Sequence, residues 1–352
     1  MMNDSDSLLI RALQRKPVPR APIWLMRQAG RYLPEYRATR ARAGDFLSLC
    51  QSKELACEVT LQPLQRFNLD AAILFSDILT IPDAMGLGLS FAEGEGPRFK
   101  YPIRDLKAID ALVVPKATDE LAYVMDAVRL IRQELPASMP LIGFAGSPWT
   151  LACYMVEGES SREFKQALGL MYLEPEGMHR LLQTLTTAVI EYLSAQVDAG
   201  ASVLMLFDTW GGILSTQHYQ HFSLHYMRDI VQHLQKKHPN IPVILFTKGG
   251  GQWLSHIADS GCQAVGLDWT CDLSMARQTI GHKVALQGNL DPTVLLTSPA
   301  CIRAETKRIL TEFGPHAGLI FNLGHGITPD VPPEHVNVLV EAVHEFSTEL
   351  YA

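Results

Sequence analysis

The sequence predicts an α/β fold, a (β/α)8 TIM barrel, from three observations. Eight short apolar runs recur along the 352-residue chain, and each ends in a polar or glycine-rich turn. Segments with helical spacing of apolar residues lie between these runs. Continuous apolar strands alternating with amphipathic helices are typical of a parallel sheet covered on both faces, and eight such strands close a barrel. An open doubly wound sheet would carry Gly-x-Gly-x-x-Gly after an early strand, and this pattern follows none of the runs.

The predicted strands are residues 22–26, 71–75, 141–144, 202–207, 242–246, 264–267, 284–286 and 318–321. Residues 121–135 and 181–197 are predicted helices because their apolar side chains are spaced i, i+3, i+4, i+7. Pro175 suits the start of the second helix. Ser147 and Pro148 predict another helix, with serine as its N-cap and proline at its first position.

Length alone allows two or three domains, but the barrel pattern predicts one domain over residues 1–352, with a short N-terminal extension. The chain is 47% hydrophobic and 19% charged, which excludes a disordered protein. Lys plus Arg total 30 against 37 Asp plus Glu, giving a formal net charge of -7. This balance argues against nucleic acid as a partner, because phosphate contacts need Lys and Arg. An anionic ligand would require locally concentrated positive charge.

The sequence predicts a cytoplasmic protein without a membrane partner. Its first residues are acidic and lack the apolar core of a secretory signal. The longest apolar runs are far short of the ~20 residues that span a bilayer. The six cysteines are scattered without a Cys-x-x-Cys pair, so we expect neither a disulfide framework nor a structural metal site.

Polar residues follow directly after the apolar runs. In a barrel these positions form the C-terminal rim, where active sites of this fold lie. The sequence therefore predicts one site from ten rim residues: Arg27, Arg31, Asp77, Tyr154, Asp208, Thr209, Lys248, Asp268, Asn289 and His325.

An arginine cluster follows the first strand. Arg27 and Arg31 bracket Gln28-Ala29-Gly30, and guanidinium groups bind carboxylate or phosphate in bidentate fashion. We expect an anion site here, with Gly30 permitting unusual backbone angles and close ligand approach. The nearby Arg37, Arg40 and Arg42 are expected on a solvated helix face.

Of three further rim residues, Asp77 and His325 each allow two interpretations. Asp77 is either a strand-end residue bonded to local N–H groups or a carboxylate that stabilises a cation developing on a substrate. The hydroxyl of Tyr154, on the predicted helix after Pro148, can reach the cavity. His325 is either an exposed loop histidine or a hydrogen-bond donor or acid/base group near its ordinary pKa of ~6.5.

Two other motifs are interpreted as structural. Lys248-Gly249-Gly250-Gly251 lacks the order of a phosphate-binding loop and predicts a tight strand-to-helix turn. His218, His221 and His225 lack the glutamate of a His-Glu-x-x-His zinc motif, so we expect no protease there.

Three segments carry a resemblance to a known family. PIWLMRQAGRYLPEYR at 22–37, GFAGSPWTLACYMVEG at 143–158 and FNLGHGITPD at 321–330 resemble the uroporphyrinogen decarboxylase family, and the similarity runs from residue 5 to 348. The resemblance implies a single-domain barrel, usually a homodimer. It implies a lyase of porphyrin and heme biosynthesis that removes CO2 from the four acetate side chains of uroporphyrinogen III, without cofactor or metal.

The resemblance also implies residue roles. Arg27 and Arg31 would bind substrate carboxylates, Asp77 would receive the pyrrole N–H groups, Tyr154 would support Asp77 and the substrate, and His325 would contact a propionate or acetate. Asp77, Arg27 and Tyr154 form the implied catalytic set. The implied substrate-binding set is Arg27, Gln28, Ala29, Gly30, Arg31, Asp77, Tyr154, Phe207, Thr209 and His325. Many relatives have Ser where this chain has Thr209, which keeps the hydroxyl.

Elementary chemistry agrees with this activity. A pyrrole acetate lacks a β-carbonyl, so protonation of the adjacent ring carbon must make the pyrrole the electron sink. A fixed carboxylate such as Asp77 would stabilise the resulting cation. The proton donor is open between Arg27, water and a substrate carboxyl group.

Two alternatives are weighed. A corrinoid-dependent zinc methyltransferase on a related barrel needs His-x-Cys and a further Cys at strand ends, but the corresponding turns hold Lys248 and His325 without a cysteine. A non-catalytic tetrapyrrole carrier could share the arginines, and Asp77 argues against it.

Overall fold

A curled sheet of parallel strands forms the centre of the molecule. The computed structural model describes residues 7–92 and 96–352, and the predicted N-terminal extension begins in residues 1–6, outside this range. The strands are β1 (Ala72–Ile73), β2 (Leu89–Ala92), β3 (Gly96–Phe99), β4 (Leu141–Gly146), β5 (Val203–Asp208), β6 (Val243–Thr247), β7 (Ala264–Gly266), β8 (Ala285–Leu290) and β9 (Leu319–Leu323). Within the described residues, seven strands pair in parallel in the order β1-β4-β5-β6-β7-β8-β9, and β2 and β3 form an antiparallel hairpin.

The segment before Arg27 closes the barrel. Ile23 forms a parallel bridge with Phe321 of β9, and the Phe321 N–H donates to the Pro22 carbonyl at 2.8 Å. On the other side, the Asp70 N–H donates to the Ile23 carbonyl at 2.8 Å. Residues 22–26 therefore lie between β9 and β1. The predicted strand segments occupy successive positions around a TIM barrel, which confirms the fold class.

Several strands extend beyond their predicted ends. Asp208 belongs to β5 and pairs with Thr247, while Asn289 of β8 pairs with Asn322 of β9. The sequence places these polar residues in turns, and that placement is wrong, because each neighbouring strand continues in register beside them. β1 is shorter than predicted and ends at Ile73.

Helices cover the outside of the barrel. They are α1 (Leu8–Leu13), α2 (Pro34–Ala43), α3 (Phe46–Gln51), α4 (Lys53–Arg66), α5 (Thr80–Pro82), α6 (Leu106–Asp110), α7 (Ala122–Glu134), α8 (Pro148–Glu157), α9 (Lys165–Leu173), α10 (Pro175–Ala199), α11 (Thr216–His218), α12 (His225–Lys237), α13 (Leu254–Ala258), α14 (Leu273–Ile280), α15 (Pro299–Phe313) and α16 (Pro333–Tyr351). α7 confirms the predicted helix over 121–135, and α10 confirms the second but begins at Pro175 itself. Short 3-10 segments over Gly250–Trp253 and elsewhere complete the connections.

The start of α8 follows the predicted capping pattern. Ser147 Oγ accepts a hydrogen bond from the Thr150 N–H at 3.0 Å, and Pro148 occupies the first position. The helix ends at Gly158, whose φ of 87° lies in the left-handed region. This fixed helix carries Tyr154 toward the barrel mouth.

The barrel interior is filled by side chains. The Trp24 indole N–H donates to Gln287 Oε1 at 2.9 Å, and the Gln287 amide approaches Met205 Sδ at 3.8 Å.

The six cysteines are free thiols. Among the described helices, none is both long and apolar enough to cross a bilayer.

Candidate active site

A cavity of about 680 Å³ opens at the carboxyl ends of the barrel strands. It brings together all ten residues of the implied substrate-binding set: Arg27, Gln28, Ala29, Gly30, Arg31, Asp77, Tyr154, Phe207, Thr209 and His325. These residues come from the loop after the first strand segment, the end of β1, α8, β5 and the loop after β9. Their convergence supports one site at the rim.

The arginine loop is held by its flanking backbone. The Met26 N–H donates to Asn322 Oδ1 at 2.9 Å, and the Ile327 N–H donates to the Met26 carbonyl at 3.0 Å. Arg27 itself has a φ of 61°, a conformation that costs a non-glycine residue about 1–2 kcal/mol. The expectation that Gly30 supplies the unusual backbone angle is wrong. Gly30 is needed for space, because a Cβ there would lie 3.1 Å from the Arg27 carbonyl oxygen.

Gln28 lines the cavity but its side chain is already occupied. Its Oε1 accepts from the Leu25 N–H at 3.1 Å, and its amide donates to the Ala71 carbonyl at 3.1 Å. The Gln28 side chain therefore ties the arginine loop to the residue that precedes β1.

Arg40 also lines the cavity, so its expected place on a solvated helix face is wrong. It lies four residues after Tyr36 on α2, and both side chains face the cavity because residues i and i+4 share a helix face. The other two arginines of that group have protein partners: Arg37 donates to the Arg31 carbonyl at 2.7 Å, and Arg42 pairs with Glu58. Among the described residues, Arg27, Arg31 and Arg40 pair with no carboxylate.

Asp77 makes the local hydrogen bonds of its first interpretation and also lies in the cavity lining, as its second interpretation requires. One carboxylate oxygen accepts from the Leu79 N–H at 2.8 Å, a local turn typical of aspartate, and the Asp77 carbonyl accepts from Thr80 Oγ1 at 3.1 Å. The side chain lies deep in the protein but keeps part of its surface open to the cavity. Burial raises the pKa of Asp77, and the Leu79 N–H and the Arg27 charge oppose this rise.

Tyr154 projects from α8 toward the same space. Its ring packs edge-on against Phe164 and Trp210, with centroids 5.9 and 6.2 Å away. Burial raises the pKa of Tyr154, the Trp210 indole opposes the rise, and the Asp77 carboxylate adds to it. The phenol is therefore a neutral hydrogen-bond donor near Asp77.

His325 is neither a fully exposed loop histidine nor a group with an ordinary pKa. Burial, with the positive charges of Arg27 and Lys248, lowers the pKa of His325 to about 4. This lowered pKa favours the role of a hydrogen-bond donor over that of an acid/base group titrating near ~6.5. At neutral pH the imidazole is uncharged and can donate one hydrogen bond.

Asp208 does not reach the cavity, although the sequence places it in the rim site. Its carboxylate is completely buried and accepts hydrogen bonds from four hydroxyl groups: Ser147 at 2.6 Å, Ser223 at 2.7 Å, Thr150 at 3.1 Å and Thr247 at 3.3 Å. These bonds join β5 to β6, α8 and the helical segment before α12. The next residue, Thr209, does line the cavity.

Lys248, Asp268 and Asn289 also lie outside the cavity lining. Asp268 accepts from the Thr270 N–H at 2.8 Å, and the Asn289 amide donates to the Asp268 carbonyl at 3.1 Å. Lys248 lies over the Trp269 ring, 5.7 Å from its centroid. Lys248-Gly249-Gly250 forms a strand-to-helix turn as predicted, with a φ of 75° at Gly249.

An aromatic wall of five phenylalanines lines the cavity, and sequence reasoning missed all of them except Phe207, which belongs to the implied substrate-binding set. Phe46 packs on Phe91 with ring centroids 4.7 Å apart and on Phe75 at 6.0 Å, and Phe144 packs on Phe207 at 5.6 Å. Phe75 lies two residues before Asp77, and this was the one available sign. The wall gives the same cavity an apolar surface beside the arginines.

The histidine series lies on the outer helical layer. His221 and His225 line a groove of about 400 Å³ together with His179 and His256. Among the described residues, no group of three or more His, Cys, Asp and Glu side chains is arranged to hold a metal ion.

The barrel, the aromatic wall and the unpaired arginines define a TIM-barrel enzyme with an anion-binding active site. Residues 4–346 match the family model described as uroporphyrinogen decarboxylase (URO-D). The chain belongs to the uroporphyrinogen decarboxylase family.

Individual relatives agree with this assignment. The chain is 64% identical over 351 residues to a uroporphyrinogen decarboxylase of Legionella pneumophila, covering 100% of both chains. It is 61% identical to that of Tolumonas auensis, covering 96% of both. Among solved structures, a methyltransferase from Methanosarcina mazei matches with a TM-score of 0.80 at 22% identity, covering 97% of this chain and 99% of that one. This likeness shows the shared fold alone.

Proposed function

We propose that the protein removes CO2 from the four acetate side chains of uroporphyrinogen III and so forms coproporphyrinogen III in heme biosynthesis. The full-length relatives named above support this activity. One structural observation carries the proposal. Asp77 keeps surface open to a cavity in which Arg27, Arg31 and Arg40 pair with no carboxylate among the described residues.

The chemistry needs a fixed anion near the pyrrole nitrogens. Protonation of the ring carbon beside the acetate creates a cation that is shared with nitrogen. Loss of CO2 then returns the electron pair of the broken C–C bond to the ring system and leaves an exocyclic methylene. A proton adds to this methylene carbon to form the methyl group, and the ring carbon gives up its added proton, which restores the pyrrole. Asp77, held by the Leu79 N–H, stabilises that cation through its second carboxylate oxygen. All four pyrrole N–H groups of the macrocycle are potential donors to it.

The surrounding residues bind the side chains of the substrate. Arg27, Arg31 and Arg40 each offer a guanidinium group to its carboxylates. The neutral His325 imidazole donates to one further carboxylate, and the Tyr154 hydroxyl supports Asp77. The aromatic wall packs against the apolar faces of the pyrrole rings.

Three sources of the ring-carbon proton are compatible with this site: Arg27, a water molecule and a substrate carboxyl group. Guanidinium groups are very weak acids, which weighs against Arg27 as the donor. Its proposed catalytic role is to hold the reacting carboxylate and to offset the charge of Asp77.

We also propose that the enzyme is a cytoplasmic homodimer that uses no cofactor and binds neither nucleic acid nor membranes. Exposed Tyr172 and Leu173 at the end of α9 provide apolar surface for a second copy. Light scattering of the purified protein tests the dimer, and Leu173→Glu should shift it toward monomer. An unchanged mass would remove α9 from the interface.

One assay separates this activity from the alternatives. Metal-free protein is incubated anaerobically with uroporphyrinogen, and the products are oxidised and separated by carboxyl number. We expect porphyrins with seven through four carboxyl groups. Tight binding without conversion would indicate a tetrapyrrole carrier. Stoichiometric zinc in the protein as purified, before metal is removed, together with no conversion would favour the methyltransferase alternative.

A further inference from the structure

Gly326, the residue after His325, lies against the side chain of Arg27. A Cβ atom on Gly326 would be 2.3 Å from Arg27 Cδ, 2.6 Å from Cγ and 2.8 Å from Nε. Real Cβ atoms do not approach other heavy atoms this closely, so the aliphatic stem of Arg27 lies directly on the Gly326 backbone. Gly326 is itself buried.

The backbone of Gly326 does not require glycine. Its φ is not positive, so an alanine could adopt the same conformation without strain. The space that Arg27 occupies is therefore the structural reason for a glycine here. Alanine would introduce one methyl group into that space and would leave the loop's own geometry allowed.

Arg27 can respond to such a methyl group only through its side chain. Its backbone is fixed by the hydrogen bonds at Met26 and by the bond from the Gln28 N–H to the Leu25 carbonyl at 2.9 Å. The clashing atoms belong to the near part of the side chain, so relief requires rotation about the inner torsions. That rotation moves the guanidinium group, which ends an exposed side chain in the lining of the cavity.

We infer that Gly326 is a positioning residue for the decarboxylation: the absence of a side chain there leaves the space that the Arg27 stem occupies and so sets where the Arg27 guanidinium lies in the cavity. This inference rests on the proposed function for its kinetic consequence. Its structural consequence does not, because the charge of Arg27 acts on both neighbouring groups in the unliganded protein.

The test compares Gly326→Ala with Arg27→Ala, the double variant and Gly169→Ala. Gly169 lies in α9, where an added Cβ meets nothing within 4 Å, so its substitution is the matched control. Gly326→Ala should lower kcat/KM for uroporphyrinogen about tenfold to a hundredfold, as for a displaced binding group. In the Arg27→Ala background, adding Gly326→Ala should change kcat/KM less than about twofold, because the Arg27 side chain that the new methyl group would displace is absent.

A second measurement works without activity. The His325 ring is titrated by NMR in the unliganded proteins, and both Gly326→Ala and Arg27→Ala should raise its pKa toward the ordinary value. Equal losses of kcat/KM from Gly326→Ala in the wild-type and Arg27→Ala backgrounds, or an unchanged His325 titration, would overturn the inference.

If Gly326→Ala does not fold, the double variant should fold, because the clash between the new methyl group and the Arg27 side chain is removed. Failure of both to fold would also overturn it. An inactive wild-type protein with the expected titration would contradict only the proposed function.

Discussion

The Leu79 backbone N–H donates to one carboxylate oxygen of Asp77 at 2.8 Å, and among the described residues the other oxygen accepts no hydrogen bond. Asp208, at the end of β5, differs sharply, because four hydroxyl groups donate to its carboxylate. Both aspartates follow apolar runs and both have pKa values raised by burial. The two carboxylates differ in their hydrogen-bond partners. The protein supplies four donors to Asp208, whereas one oxygen of Asp77 remains free to accept a hydrogen bond from a ligand.

Asp77→Asn should abolish most of the activity without loss of stability. The amide oxygen can still accept from Leu79, and removal of a charge that burial disfavours leaves the free energy of unfolding unchanged or higher. The fixed negative charge is lost, so kcat should fall by at least about 10²- to 10³-fold. Single-turnover decarboxylation and thermal unfolding measure the two effects.

The matched control for Asp77 is Asp119→Asn, because Asp119 is an exposed carboxylate remote from the cavity lining. It should change neither quantity. Activity of Asp77→Asn within about tenfold of wild type would remove Asp77 from the catalytic role.

Asp208→Ala should destabilise the fold. It would leave the buried hydroxyls of Ser147, Thr150, Ser223 and Thr247 without their shared acceptor, at a cost of about 3–5 kcal/mol for a broken buried network. Denaturant unfolding measures this loss, and Ser223→Ala should give a smaller one of about 1 kcal/mol. A midpoint equal to that of wild type would show that the network contributes nothing to stability.

The same contrast shows how far sequence could predict this site. The strand positions and six of the ten predicted rim residues were accessible, because period and strand ends are local properties. The partners of Asp208 were not, since all four hydroxyls around it come from other elements of the barrel. Arg40 and most of the aromatic wall were missed for the same reason: packing of α2 and α3 against the rim brings Arg40 and Phe46 to the cavity.

His325 should make stability depend on pH in one direction. Its folded pKa of about 4 lies below the ~6.5 of an unfolded histidine, so between these values the unfolded chain binds a proton that the folded protein does not. The contribution of His325 to stability is therefore complete above about pH 6.5 and is lost as the pH falls toward about 4. We expect the wild type to lose more unfolding free energy than His325→Asn over this window.

Denaturant unfolding of both proteins from about pH 7 to about pH 4.5 measures this difference. The His256→Asn variant, at an exposed histidine on α13, serves as the control and should parallel the wild type. Parallel curves for wild type and His325→Asn would show that the imidazole titrates normally. Binding of the tetracarboxylate product should raise the His325 pKa, because its carboxylates offset the charges of Arg27 and Lys248.

Arg40→Ala should weaken substrate binding more than turnover. The Arg40 guanidinium faces the cavity from α2 and pairs with no carboxylate among the described residues, so we expect it to bind a substrate carboxylate that does not react. Such a contact is equally strong in ground state and transition state, and its loss raises KM by about tenfold with kcat nearly unchanged.

The matched control is Arg42→Ala, which removes an exposed partner of Glu58 on the same helix and should leave KM unchanged. Steady-state kinetics with uroporphyrinogen measures KM and kcat for both variants. Equal KM values for Arg40→Ala and Arg42→Ala would show that Arg40 does not bind the substrate.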